Sequence, residues 1–189
     1  SFPTRRSSDL IVTKWIGLEG TSIIAKEKEA ALQERFSPSF IKEAQAFASL
    51  VSVVQDAYIA CKSEVHSMHD VTEGGIYGAL WEMAEASGVG VEVDISRIPI
   101  RQETIEICEV FDINPYALIS SGSLLIAAPD GTGIIRALEE AGIPAAIIGK
   151  AVAGNDRIIR SGEEKRFLEP PKRDEIYRVL ASCEDAGQT

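Results

Sequence analysis

No apolar run in this chain approaches the roughly 18 residues that a membrane-spanning helix requires, so a membrane partner is not expected. No basic run is present either. Lys and Arg number 19 against 29 Asp and Glu, and at a net charge of −10 a phosphate backbone would be repelled, which argues against a nucleic-acid partner. Cysteine is scarce: Cys61, Cys108 and Cys183 are far apart and form no CxxC pair. Such spacing fits a reducing cytoplasm, with the three read as small buried apolar residues. The phosphate-loop pattern GxxxxGK[ST] and the dinucleotide pattern GxGxxG are both missing, even at the glycine-rich PDGTG of Pro129–Gly133. The opening residues SFPTRRSSDL lack the apolar core of a secretory signal. They match one reading frame of a common sequencing-library adapter instead. Genuine protein is therefore expected from about Ile11, with further sequence upstream, one domain over residues 11–182 and a tail over 183–189.

What is present is an ordinary globular composition, 45% hydrophobic and 25% charged over 189 residues, enough for one substantial core. LIVTKWIG (Leu10–Gly17) reads as a strand, and the helical composition after it takes Thr21 as N-cap. Ser37-Pro38 opens another helix, because proline at the first helical position loses no helix hydrogen bond. A third helix is expected over about Val54 to Lys62, and a short strand over Val65 to Met68. Ile76, Ala79, Leu80, Met83 and Ala84 recur at helical spacing up to Gly88, and VGVEVD then alternates with period two. A helix over about Arg101 to Phe111 follows. SLLIAAP, GTGIIRALEEAG and PAAIIGKAV then read as strand, helix and strand; a turn at Asn155-Asp156, a hairpin and a last helix near Asp174 to Ala181 complete the chain. The pattern predicts an α+β fold, a mixed sheet covered by helices.

The stretch MHDVTEGGIYGALWEMAEASGVGVEVD, Met68 to Asp94, carries the main functional signal. A helix N-terminus offers unpaired N–H groups and a partial positive charge, and glycines let an anion come close to the backbone. On residues alone, Asp70, Thr72, Glu73, Gly74 and Gly75 form such a site, with Asp70 and Glu73 free to move a proton or hold charge. The competing reading is internal: Asp70 as N-cap with Glu73 three residues on is a capping-box variant, and the two glycines serve only tight packing. GLEGT (Gly17–Thr21) repeats the glycine-bounded turn into a helix, so Gly17 and Gly20 join the candidates. Ser121 and Gly122 of SSG can donate to the same cleft, or simply turn the chain. His66 and His69 are three apart with Asp70 adjacent, but on a strand that spacing points to opposite faces, so no metal site is assigned. Trp15 and Trp81 are expected in the core rather than lining a cleft.

VTKWIGLEGT, the long motif above, LISSGSLLIA and LEPP with its following helix resemble, in this order, the C-terminal half of the aminoimidazole ribonucleotide (AIR) synthase-related superfamily, PurM-like in fold. The nearest branch is the hydrogenase maturation factor HypE-like proteins. The resemblance covers about Ile11 to Leu180. It implies a two-domain, ATP-dependent protein. An N-terminal domain carries most of the nucleotide and Mg²⁺ contacts and the dimer contacts, and the C-terminal domain closes over a small-molecule substrate, with a maturation protein as a further partner. The implied chemistry is phosphorylation of an amide- or carboxylate-type oxygen followed by loss of phosphate. The family pattern M-x-D-x-T-x-G-G falls on Met68, Asp70, Thr72, Gly74 and Gly75, which turns the loop toward that cleft. Two departures accompany it: His69 and Glu73 stand where maturation factors carry arginine, and ASCEDAGQT replaces their Pro-Arg-Ile-Cys tail, so chemistry on a terminal cysteine is not expected. The alternative is a non-catalytic module that binds a nucleotide or a partner protein and regulates assembly.

Overall fold

The computed structural model describes residues 7–181. In chain order its elements are β1 (Ser8–Thr13), α1 (Leu18–Glu27), α2 (Glu29–Gln33), α3 (Pro38–Ala46), α4 (Val54–Ala60), β2 (Ser67–Asp70), α5 (Gly75–Ser87) and β3 (Gly90–Asp94). Then come α6 (Gln102–Val110), β4 (Leu124–Ala128), α7 (Gly131–Glu140), β5 (Ala145–Val152), β6 (Arg157–Ser161), β7 (Glu164–Phe167) and α8 (Ile176–Ala181). Among the described residues the strands form one sheet in the order β2-β4-β1-β5-β3-β6-β7. Only β3 and β6 run parallel; every other neighbouring pair is antiparallel. This is the mixed, helix-covered α+β architecture that the alternation of elements predicts. Residues 8–10, on the upstream side of the boundary expected at Ile11, make the first half of β1, while residues 1–6, Cys183 and the rest of the expected tail lie outside the described residues.

Both faces of the sheet are covered, and this explains why β4 is wholly apolar and why Leu10, Ile11 and Val12 of β1 form an unbroken apolar run. Leu10 and Val12 of β1 pack with Leu125, Val91, Val93 and the inner face of α5, whereas Ile11 packs the other way with Ile126, Ile134 and Leu138 beneath α4 and α7. A strand buried on both sides has no polar face to alternate with. A third cluster joins helices to one another, with Ile24 of α1, Ile41 of α3, Ile107 of α6 and Val179 of α8 around Leu118. Each fully buried aliphatic side chain of this kind contributes about 1.5–3 kcal/mol of transfer free energy.

Local expectations hold where their physics is local. Ser37 caps α3 by accepting from the Phe40 N–H at 3.3 Å, with Pro38 at the first helical position. Gly88 closes α5 at φ 60. Four expectations are corrected. Helix α1 starts at Leu18 with Gly17 as its N-cap at φ 72, so Thr21 lies inside the first turn, buried, with its hydroxyl donated to Thr104 Oγ1 at 2.8 Å. The short strand is shifted to Ser67–Asp70, because it pairs with β4 from Ser67↔Ala127 to Asp70↔Leu124. Asp70 is therefore a strand residue and Gly74 the N-cap of α5, so the capping box of Asp70 and Glu73 does not form. Cys108 is buried as expected, but Cys61 is exposed just after α4.

Candidate functional site

Strands β1 and β2 end, and β4 begins, at one edge of the sheet: Thr13 pairs with Ala145 of β5, and Asp70 faces Leu124. The loops that leave this edge are the three picked out by glycine in the sequence. Ser120, fully buried, ties them together. Its hydroxyl accepts from the Gly17 N–H at 2.7 Å and donates to the Leu118 carbonyl at 2.7 Å. Its own N–H donates to the Thr72 carbonyl at 3.3 Å. Gly20 N–H donates to the Ile119 carbonyl at 3.0 Å, and a Cβ on Gly20 would lie 2.4 Å from Leu118 Cγ. Gly75, at φ 65, is pressed against backbone: a Cβ there would sit 2.6 Å from the Tyr116 carbonyl and 2.7 Å from that of Leu118. Gly20 makes room for the Leu118 side chain, and Gly75 lets the α5 loop touch the backbone of Tyr116 and Leu118.

The Gly74 and Gly75 amides at the start of α5 are used within the chain. Gly75 N–H donates to the Thr72 carbonyl at 3.1 Å. Gly74 N–H donates to the Asp174 carboxylate at 2.6 Å, across a sequence separation of 100. That carboxylate also accepts from Ile176 N–H at 2.8 Å and from the Ile119 N–H. Asp174 is 1% exposed, and desolvation raises its pKa from 3.8 against the opposing pull of its three N–H donors. The anion that a helix N-terminus favours is thus present, and the chain supplies it itself.

What the loops turn outward are side chains. Asp70, Thr72 and Glu73 are exposed, Ser121 is half-buried, and Gly17, Gly20, Gly75 and Gly122 are packed inside. Burial raises the pKa of Asp70 as the main effect; His69 and Lys14 lower it, while Glu19 and Asp56 add to the rise. These groups therefore share one electrostatic environment. Beneath it lies a buried network that sequence reasoning missed. Thr13 Oγ1 donates to Asp56 at 2.5 Å and accepts from the Leu124 N–H at 3.0 Å. Lys14 Nζ reaches Asp56 at 3.4 Å and the Ser52 carbonyl at 2.7 Å. Lys14 adopts φ 53, a left-handed conformation that a non-glycine residue holds only when its surroundings dictate it. Glu19, opposite, has a buried Oε2 without a hydrogen-bond partner. Asp56 carried no motif; Lys14 lies within VTKWIGLEGT, and its adjacency to the first glycine loop is the signal that could have pointed to the network.

The two histidines have separate partners: His66 Nδ1 meets Ser8 Oγ at 2.7 Å, and His69 Nε2 meets Glu82 at 2.7 Å. Among the described residues no three His, Cys, Asp or Glu side chains gather as a metal would require. Nor is any described helix long and apolar enough to cross a membrane. Trp81 packs against the α5 core with the Arg157 guanidinium 3.9 Å over its ring, and Trp15 is half-buried beneath Arg101 at 5.1 Å.

Against known proteins, the family model for AIR synthase related protein, C-terminal domain, matches residues 8–161. The carbamoyl dehydratase HypE of Rhizobium leguminosarum bv. viciae is 28% identical over 160 residues, covering 82% of this chain and 44% of that protein. The crystal structure of Escherichia coli HypE, a hydrogenase maturation protein, superimposes with a TM-score of 0.73 at 21% identity, over 91% of this chain and 52% of the other. A hydrogenase maturation protein HypE in complex with ATP superimposes with a TM-score of 0.67 at 16% identity, over 93% and 53%. The chain thus spans about half the length of the proteins it matches.

Proposed function

This chain belongs to the AIR synthase-related family, as its C-terminal domain, and from that premise we propose that it is the substrate-side domain of an ATP-dependent protein similar to the HypE maturation factors. In this reading residues 11–182 are the domain and residues 183–189 its tail. ATP and Mg²⁺ are held mostly by an N-terminal domain, through which the full-length protein also dimerises; a maturation protein is its partner and the cytoplasm its location. The intact protein phosphorylates an amide- or carboxylate-type oxygen of a small-molecule substrate and then releases phosphate.

The observation that carries this reading is the joining of three glycine loops at one sheet edge, with Asp70, Thr72 and Glu73 turned outward from the joint. Asp70 is the proton- and charge-handling group, because partial desolvation raises its pKa above the ordinary carboxylate value. Glu73 assists it, and Thr72 and Ser121 supply hydroxyls to the substrate. Gly17, Gly20, Gly74, Gly75 and Gly122 let the loops close around it. Mg²⁺ takes hard oxygen donors, usually one or two carboxylates with substrate phosphates completing its shell. The unpartnered Glu19 oxygen fits that donor chemistry, which leaves Asp70 to the proton. The ion supplies neutralisation of phosphate charge; the chain's own residues orient the substrate and hold the proton.

The test is ATP hydrolysis by a full-length relative carrying Asp70→Asn and Glu73→Gln at the matching positions. A drop of at least about 100-fold in kcat is expected for a lost acid–base group; unchanged turnover ends the assignment. The non-catalytic alternative, a nucleotide- or partner-binding module, is favoured by one observation: the Gly74 amide is filled by Asp174. Recovery of the upstream reading frame separates the two, since acidic metal-binding residues there belong only to the catalytic form.

A further inference from the structure

The segment that follows β7 crosses the start of α5 and leaves a cleft of about 370 Å³ between them, at the lower end of the range for small-molecule sites. Gly74 and Tyr77 lie on one side, and Arg166, Phe167, Lys172 and Arg173 on the other. The chain as a whole carries a net charge of −10, yet this cleft is locally positive. Of its charged groups, Lys172 is neutralised by Glu169 at 2.6 Å, and Glu175 is taken up by Arg178 at 2.9 Å. Two guanidinium groups remain. Arg166 donates to the neutral Tyr77 hydroxyl and lies 5.5 Å from that ring's centroid. Arg173 lies 4.6 Å over the Tyr177 ring. Among the described residues neither has a carboxylate within ion-pair distance. The wall between them is flat and apolar. Tyr77 is stacked on Tyr116 with centroids 5.5 Å apart, Phe167 is 70% exposed, and Pro170 and Pro171 continue the surface.

A guanidinium resting on an aromatic face and lacking an anion is half of a charge-assisted, bidentate contact. We propose that this cleft binds a small organic anion with a planar body, its phosphate or carboxylate held by Arg166 and Arg173 and its ring laid against Tyr77 and Phe167. The groups that would bind the anion, Arg166, Arg173, Tyr77 and Phe167, are ones that the ATP-dependent reading does not use, and only Gly74 of the wall is shared with it. Binding there requires no phosphoryl transfer, so it stands or falls separately from that reading.

Calorimetric titration of the 189-residue chain with phenyl phosphate, benzoate, inorganic phosphate and benzamide tests it directly. One or both aryl anions should saturate a single site about tenfold or more tighter than either inorganic phosphate or benzamide, and comparison of the two identifies the preferred head group. Arg166→Ala and Arg173→Ala should each weaken that binding by about tenfold. Both side chains are exposed, so their truncation opens no core and the melting curve should not move. Arg136→Ala on α7, across the sheet, should bind as the parent does. The proposal is overturned if neither aryl anion binds at about 10 mM, if inorganic phosphate or benzamide binds as tightly, or if the Arg166 and Arg173 variants match the parent.

Discussion

Replacing Asp174 by alanine removes the one carboxylate that holds three separate segments. It accepts from Gly74 N–H at 2.6 Å at the head of α5, from Ile176 N–H at 2.8 Å at the head of α8, and from Ile119 N–H beside the Ser120 joint. A hydrogen bond to a charged acceptor is worth about 1.5–3 kcal/mol net, and a buried donor left without a partner costs about 1–3 kcal/mol. The raised pKa of Asp174 places its bonds at the weak end of that range, because desolvation outweighs them. A loss of about 3–4 kcal/mol is expected for Asp174→Ala. Asp174→Asn, which keeps one carbonyl acceptor, should lose about half as much. Urea unfolding measures this as a fall in midpoint at constant slope, and thermal unfolding should show a drop of roughly 10 °C for a chain of this size. The pH dependence carries a sign of its own. With its folded pKa above the ordinary 3.8, Asp174 binds its proton more tightly in the native state. Its contribution is therefore greatest below about pH 3.8 and falls as pH rises through the folded value, and Asp174→Asn should flatten that part of the stability curve. A shift under about 0.5 kcal/mol for Asp174→Ala, the range of an ordinary surface change, would refute the claim that this group anchors the loops.

Gly75→Ala puts a methyl group against two carbonyl oxygens in a left-handed backbone, so a loss of at least about 3 kcal/mol in urea unfolding is expected. Lys14→Met leaves Asp56 buried and unpaired and should destabilise by about 3–5 kcal/mol; adding Asp56→Leu should restore part of that, and additive losses would show that the two charges do not interact. The Cys108 thiol is pushed up to about 12 by burial, so at pH 8 a thiol reagent should label exposed Cys61 in the native protein and reach Cys108 only after unfolding.

These expectations rest on contacts of very different range, and range decides what a sequence can tell. Helix α3 could be read from Ser37-Pro38, and α5 from its apolar spacing and Gly88, because a cap and an apolar stripe are written within a few neighbouring residues. The fold class followed from the alternation of elements and the family from the quoted motifs, and the match over residues 8–161 agrees with both. The inside of the joint could not be read in that way. The glycines of GLEGT and EGG look alike whether their amides face a ligand or the chain itself. The difference lies in Ser120, 103 residues from Gly17, and in Asp174, 100 residues from Gly74. Asp70 and Glu73 satisfied the spacing of a capping box, but the pairing of β2 with β4 extended the strand through Asp70 and moved the helix start to Gly75. A local rule was overruled by a sheet hydrogen bond. The same strand extension leaves Asp70 at the sheet edge, within reach of Lys14 and Glu19, instead of folded back onto the α5 amides. A group released from capping can serve chemistry, so the failed local prediction and the proposed role of Asp70 have one cause. If Asp70→Asn destabilised the fold as a lost cap does, by about 1 kcal/mol, that link would break; a stability change near zero with altered turnover in the full-length relative is the outcome it requires.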